Sequence, residues 1–210
     1  MPKRFYPFVL VMIITTMFFS VGCSSENSNN NKIAYVSANT DSEYNNTLQK
    51  LKLGEFFDFN LKLPNADKSW ITIWVEGYSN GKAVEPVRLI ELSYGLNPKK
   101  VVEGQMGFGI INYNNEPQIF LLSEGVRTDF HNIDNNLLSR DVPSCWDYAI
   151  GSKSIGIEPG EEVLLGVYRQ EEGPLAAGYD YTDLNSVKQM ISENTTVLLL
   201  KIKVEKKEKL

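Results

Sequence analysis

Apolar and polar residues alternate along most of the chain beyond residue 54. Residues 55–63 (EFFDFNLKL) place Phe57, Phe59, Leu61 and Leu63 on one face and Asp58, Asn60 and Lys62 on the other. A two-residue period over a full strand length predicts a β-strand with one buried face. Residues 70–78 repeat it, with Ile71, Ile73 and Val75 opposite Trp70, Thr72 and Trp74. Asn80-Gly81 separates this run from residues 84–92, which predicts a hairpin. Pro86 puts the second arm at a sheet edge or delays its start, because proline cannot donate to the ladder. Further strands are predicted around 101–102, 105–113, 118–122, 126–130, 162–169 and 195–204. Gly104, Gly107 and Gly109 interrupt one of these runs, a pattern that predicts a bulge or a close approach. A short amphipathic helix fits 184–193, where Leu184, Val187 and Ile191 recur at helical spacing behind Asp183 as N-cap.

Many short strands, turn residues between them and almost no helix predict an all-β domain over residues 51–204, built as a β-sandwich with one short C-terminal helix. The Pro159-Gly160-Glu161 turn feeding an alternating strand resembles that of many immunoglobulin-like modules, a likeness that carries no functional residue with it. A small β-barrel with an internal ligand cavity is the alternative. Residues 205–210 form a charged tail. Ile33, Ala34, Tyr35 and Val36 interrupt the polar stretch that runs through Asn46, and they form either part of a tether or a first edge strand.

The first 22 residues have a different pattern. Lys3 and Arg4 precede an apolar run from Phe5 to Val21, which ends in small residues before a cysteine. At roughly 17 residues the run is at the lower limit for a membrane-spanning helix, and the order of charge, apolar run and small residues is that of an export signal. Ser20-Val21-Gly22-Cys23 resembles the lipobox of bacterial lipoproteins, with Ser20 where that class most often has leucine. The resemblance implies cleavage between Gly22 and Cys23 and lipid attachment at Cys23, as S-diacylglycerol and N-palmitoyl cysteine. It also implies a domain anchored on the extracytoplasmic face of a bacterial cell membrane. Residues 23–50 then serve as anchor and polar tether. The SSENSNNN stretch at 24–31 contains no apolar residue and reaches at most about 28 Å.

The formal net charge is −5, and loss of Lys3 and Arg4 with the leader makes the remainder more acidic. That charge repels phosphate backbones and argues against a nucleic-acid partner. With Cys23 lipidated, Cys145 has no disulfide partner, and beside Trp146 it reads as a small buried hydrophobe. His131 is the single histidine. It forms no zinc motif with Cys145, and no nucleophile-elbow sequence accompanies it. No cofactor or metal is expected. Glu161-Glu162 and Glu171-Glu172 are adjacent pairs that point to opposite strand faces, so neither converges on a substrate. The oxygen-rich run 180–185 reads as a turn and helix cap rather than a calcium loop. Trp70, Trp74 and Tyr78 share one strand face with Thr72 and Glu76 between them, so they are either core residues or a candidate binding face. These features lead us to expect a non-enzymatic, membrane-anchored module that binds an envelope protein or a glycan. The alternatives are an envelope hydrolase acting on wall or glycan and a lipocalin-like carrier.

Overall fold

The computed structural model describes residues 31–113, 116–134, 137–139, 142–174 and 178–208. The leader, the cleavage site and Cys23 lie outside these residues. Two antiparallel sheets face one another. With strands numbered in chain order, the first sheet runs β10 (Ile155–Ile157), β1 (Ala34–Ala38), β2 (Gly54–Leu63), β5 (Val102–Tyr113), β6 (Glu116–Ser123) and β7 (Val126–Arg127). β8 (His131–Asn132) also pairs with β6. The second sheet runs β4 (Lys82–Gly95), β3 (Ser69–Ser79), β12 (Thr196–Lys206), β11 (Glu162–Gln170) and β9 (Ser144–Tyr148). The sheets do not close on themselves, so the fold is the sandwich and not the alternative barrel.

The alternating pattern explains the core. Phe57, Phe59, Leu61 and Leu63 of β2 meet Met106, Phe108 and Ile110 of β5 and Ile119 and Leu121 of β6 in the space between the sheets. From the other side come Ile71, Ile73 and Val75 of β3 and Leu198, Leu200, Ile202 and Val204 of β12. Full burial of each such side chain contributes roughly 1.5–3 kcal/mol relative to exposure. The hairpin forms as predicted. Ser79 pairs with Lys82, and Asn80 and Gly81 bridge them with φ of 48° and 78°, the double positive φ that suits the twist of a two-residue hairpin. β4, which contains Pro86, is an edge strand.

Among the described residues, two α-helices flank the sandwich. The predicted one, α2 (Leu184–Glu193), begins where the Asp183 side chain accepts a hydrogen bond from the Asn185 N–H. Its Met190 is buried against Val167, Val197 and Leu199 on the outer face of the second sheet. The other, α1 (Glu43–Lys50), lies within the stretch expected to be tether and is capped by Ser42. β1 lies in that stretch too, and it is not an edge strand, because it pairs with both β10 and β2. The folded domain therefore starts near Lys32 rather than at residue 51. The pairing of β5 with β2 and β6 has no register shift, so its glycines mark a close approach and not a bulge.

Candidate binding sites on the sandwich

The tryptophan face is occupied by the protein itself. Trp70, Trp74 and Tyr78 do share the outer face of β3, but Trp74 is 0% exposed. Its indole N–H donates to Glu76 Oε1 at 2.9 Å, and the Arg88 guanidinium lies 4.4 Å from its ring centroid. The Tyr78 hydroxyl and the Lys201 ammonium both donate to Glu76 Oε2, at 2.9 and 2.8 Å. Burial opposes ionisation of Glu76, yet the hydrogen bonds from Lys201, Trp74 and Tyr78 hold its carboxyl below the usual range. Burial, reinforced by Glu76, pushes the Tyr78 phenol up to about 12. Tyr78 also packs with the α2 cluster, and Lys207 Nζ lies 4.0 Å from the Trp70 ring. Trp74 is thus a structural residue, and of the row only Trp70 and Tyr78 retain partial exposure.

A second aromatic row lies on the opposite sheet, with its central Phe56 only 3% exposed. Phe56 of β2 breaks the polar face of its own strand, and the pairing places it opposite Gly109 of β5, which in turn faces Phe120 of β6. The Phe56 and Phe120 rings stack at 5.9 Å with planes 13° apart. They lie flat because β5 has no side chain there. A Cβ on Gly107 would sit 2.1 Å from Phe56 Cζ, and one on Gly109 would sit 2.1 Å from Phe120 Cε1. Tyr44 of α1 meets Phe56 edge-on at 6.4 Å, and Phe130 meets Phe120 edge-on at 5.2 Å. These end rings are 59% and 54% exposed. A groove of about 890 Å³ includes Tyr44, Phe56 and Phe120, with Asn39, Asp41, Glu43 and Gln105 supplying polar groups. Asn39 is fixed by its bond to Asp58 Oδ2 at 2.9 Å. An apolar floor with a few placed polar groups is the usual make-up of a ligand site.

A second cavity, about 640 Å³, opens at one end of the sandwich between the sheets. Glu55 lies in it. This residue extends the inward row of Phe57, Phe59, Leu61 and Leu63 by one more position, so its carboxyl is on the core side of β2. Burial pushes that carboxyl above the usual range. Its Oε2 is inaccessible and has no hydrogen-bond partner among the described residues. The walls include Ile110, Ser144, Tyr168 and Gln170. Gln170 is held by Ser139, through its backbone N–H and carbonyl, and by the Tyr168 hydroxyl. Among the described residues lining the cavity, no second carboxylate joins Glu55.

The remaining sequence candidates have local roles. Cys145 is half-buried on the outward side of β9, where burial raises its thiol despite Arg169 nearby. His131 is exposed on β8. Asp180 Oδ1 accepts from the Thr182 backbone N–H and hydroxyl, a turn, and Asp183 caps α2. Glu161 accepts from the Glu158 N–H, and Glu171 from the Thr195 N–H. No group of His, Cys, Asp or Glu among the described residues is arranged to hold a metal. No described helix is long and apolar enough to cross a membrane.

The sequence reading passed over both sites. The signal for Glu55 was its register, two residues before Phe57 on the apolar face. The signal for the groove was Phe56 on a polar face together with glycines at alternate positions of β5. The chain matches no family model, no curated protein and no solved structure.

Proposed function

We propose that this chain is a lipid-tethered binding module of a bacterial envelope, anchored through Cys23 outside the cytoplasmic membrane, and that it holds a neutral glycan in the aromatic groove of the first sheet. The observation that carries this reading is the pair of exposed rings, Tyr44 and Phe130, set at the two ends of the Phe56–Phe120 stack, in which Phe56 is 3% exposed and serves as buried support. The exposed Tyr44 and Phe130 rings offer apolar surface to the C–H faces of sugars. Asn39, Asp41, Glu43 and Gln105 can hydrogen-bond the hydroxyls around them. Acidic residues at the rim of the groove, and an acidic domain, disfavour anionic polymers. A glycan hydrolase acting through a carboxyl pair has less support, since Glu55 stands without a second acid among the described cavity residues.

The test is retention of the folded domain on purified neutral cell-wall polysaccharide. Tyr44→Ala with Phe130→Ala is expected to weaken retention at least tenfold, while Trp70→Ala leaves it unchanged. Equal retention of the double variant and the unaltered domain would remove the groove from the function. The anchor is tested separately, by mass spectrometry of the mature N-terminus and of Cys23.

A further inference from the structure

We propose that the end cavity is a second, separate site that binds a small ammonium-bearing ligand, with the cationic nitrogen placed against Glu55. The inference does not depend on the glycan groove. It starts from an inconsistency in β2: four consecutive inward positions are apolar, and the fifth is a carboxylic acid. The position opposite in the register is Ile110, also core-facing. A hydrophobic residue there would continue the core. Instead one carboxyl oxygen is buried without a partner, an unfavourable arrangement, and more so when the group is charged. Proteins retain such locally unfavourable groups chiefly at functional sites.

The surroundings select the ligand class. The polar groups that line the cavity with Glu55 include the Tyr168 phenol from β11, the Ser144 hydroxyl from β9, and Lys52 after α1. No cationic side chain among the described residues makes an ion pair with Glu55, while Lys32, Lys62, Arg88, Arg169, Lys201 and Lys203 all have carboxylate partners elsewhere. An anion would be repelled by Glu55. A metal ion would need several oxygen ligands, and the described lining offers one carboxylate. A neutral polyol could hydrogen-bond but would leave the buried charge uncompensated. An ammonium group supplies both the charge and the donors. Ile110 and the Tyr168 ring give its carbon chain an apolar wall. The cavity volume falls within the range of small-molecule sites.

The experiment is an NMR titration of the folded domain with n-butylamine, in its ammonium form, and with n-butanol as the uncharged isostere. It follows the Glu55 carboxyl and the Ser139 and Gln170 amides. Butylammonium is expected to bind saturably, to lower the Glu55 titration midpoint, and to bind at least tenfold more tightly than butanol. Glu55→Gln, which keeps the shape and removes the charge, should abolish that preference. Equal affinity for the two probes, an unchanged preference in E55Q, or no saturable shift at these groups would overturn the proposal. None of these outcomes bears on polysaccharide retention by the groove, so the two readings fail independently.

Discussion

At the scale of single residues, the molecule is decided by positions that break their local pattern. Phe56 is an aromatic on a polar face, Glu55 an acid on an apolar one, and Gly107 and Gly109 are absent side chains in an otherwise large-residue strand. Each is explained only by a neighbour on another strand. Glu55 has a measurable thermodynamic consequence. Burial raises its carboxyl in the folded state above the ordinary value, so the folded protein holds that proton more tightly than the unfolded chain does. The stabilising effect is fully present below the unfolded value of about 4.3, and it is lost as pH rises through the folded value. Glu55→Gln should therefore be more stable than the unaltered protein at pH 8 and equal to it at pH 3. The gain at pH 8 should be about 1 kcal/mol, kept at the low end because the carboxyl is partly solvated. Urea unfolding at the two pH values measures it. A gain of the same size at both would show that packing, and not charge, is responsible.

At the scale of elements, regular periodicity was readable and short polar elements were not. β2, β3, β11, β12, α2 and the Asn80-Gly81 hairpin follow from period and turn chemistry, because each carries its own apolar face. β9 and β10 have five and three residues, too few to establish a period. The aromatic row and the glycines beneath it draw on residues 44, 56, 107, 109, 120 and 130, which no local window contains. The tryptophan row was legible as a row, but its burial depends on Arg88 and Lys201, and on α2 beside Tyr78. α1 illustrates the same limit. Eight residues are too few for an isolated helix to persist in water, so tertiary contacts hold it. One is specific: Asn45, 6% exposed, accepts the Phe56 N–H at 3.0 Å through Oδ1. Asn45→Ala leaves that buried donor unpaired and should cost about 1–3 kcal/mol. It should also loosen Tyr44, at the end of the groove. Amide hydrogen exchange checks this directly, with Phe56 expected to lose protection far more than Phe108. Equal loss at both would mean global destabilisation, and the tie between helix and strand would carry no special weight.

At the scale of the whole molecule, the question is where the folded body starts, because that sets how much chain would remain as tether under the proposed anchor. Composition alone assigns residues 23–50 to anchor and tether, but pairing assigns most of them to the domain. Ala34 and Val36 are fully buried, and β1 stands between β10 and β2 in the first sheet. Just before it, the Lys32 ammonium lies 3.1 Å from a Glu158 carboxylate oxygen, although an ion pair this exposed adds little stability. Removing an interior strand does more than remove its own contacts. It strips β10 of its partner, exposes the backbone edge of β2, and uncovers the apolar side chains beneath. A chain starting at Asn31 should therefore unfold cooperatively with the midpoint of the full-length protein. A chain starting at Leu51, the boundary suggested by hydropathy, should give neither a cooperative transition nor a near-ultraviolet circular dichroism signal. If the shorter chain unfolded like the longer one, β1 would be an accessory and the tether could extend to residue 50. If it collapses as expected, only the eight residues from Ser24 to Asn31 separate the cysteine from the domain. Fully extended they reach about 28 Å. Under the proposed lipid anchor at Cys23, a glycan held in the groove would then have to come close to the membrane surface.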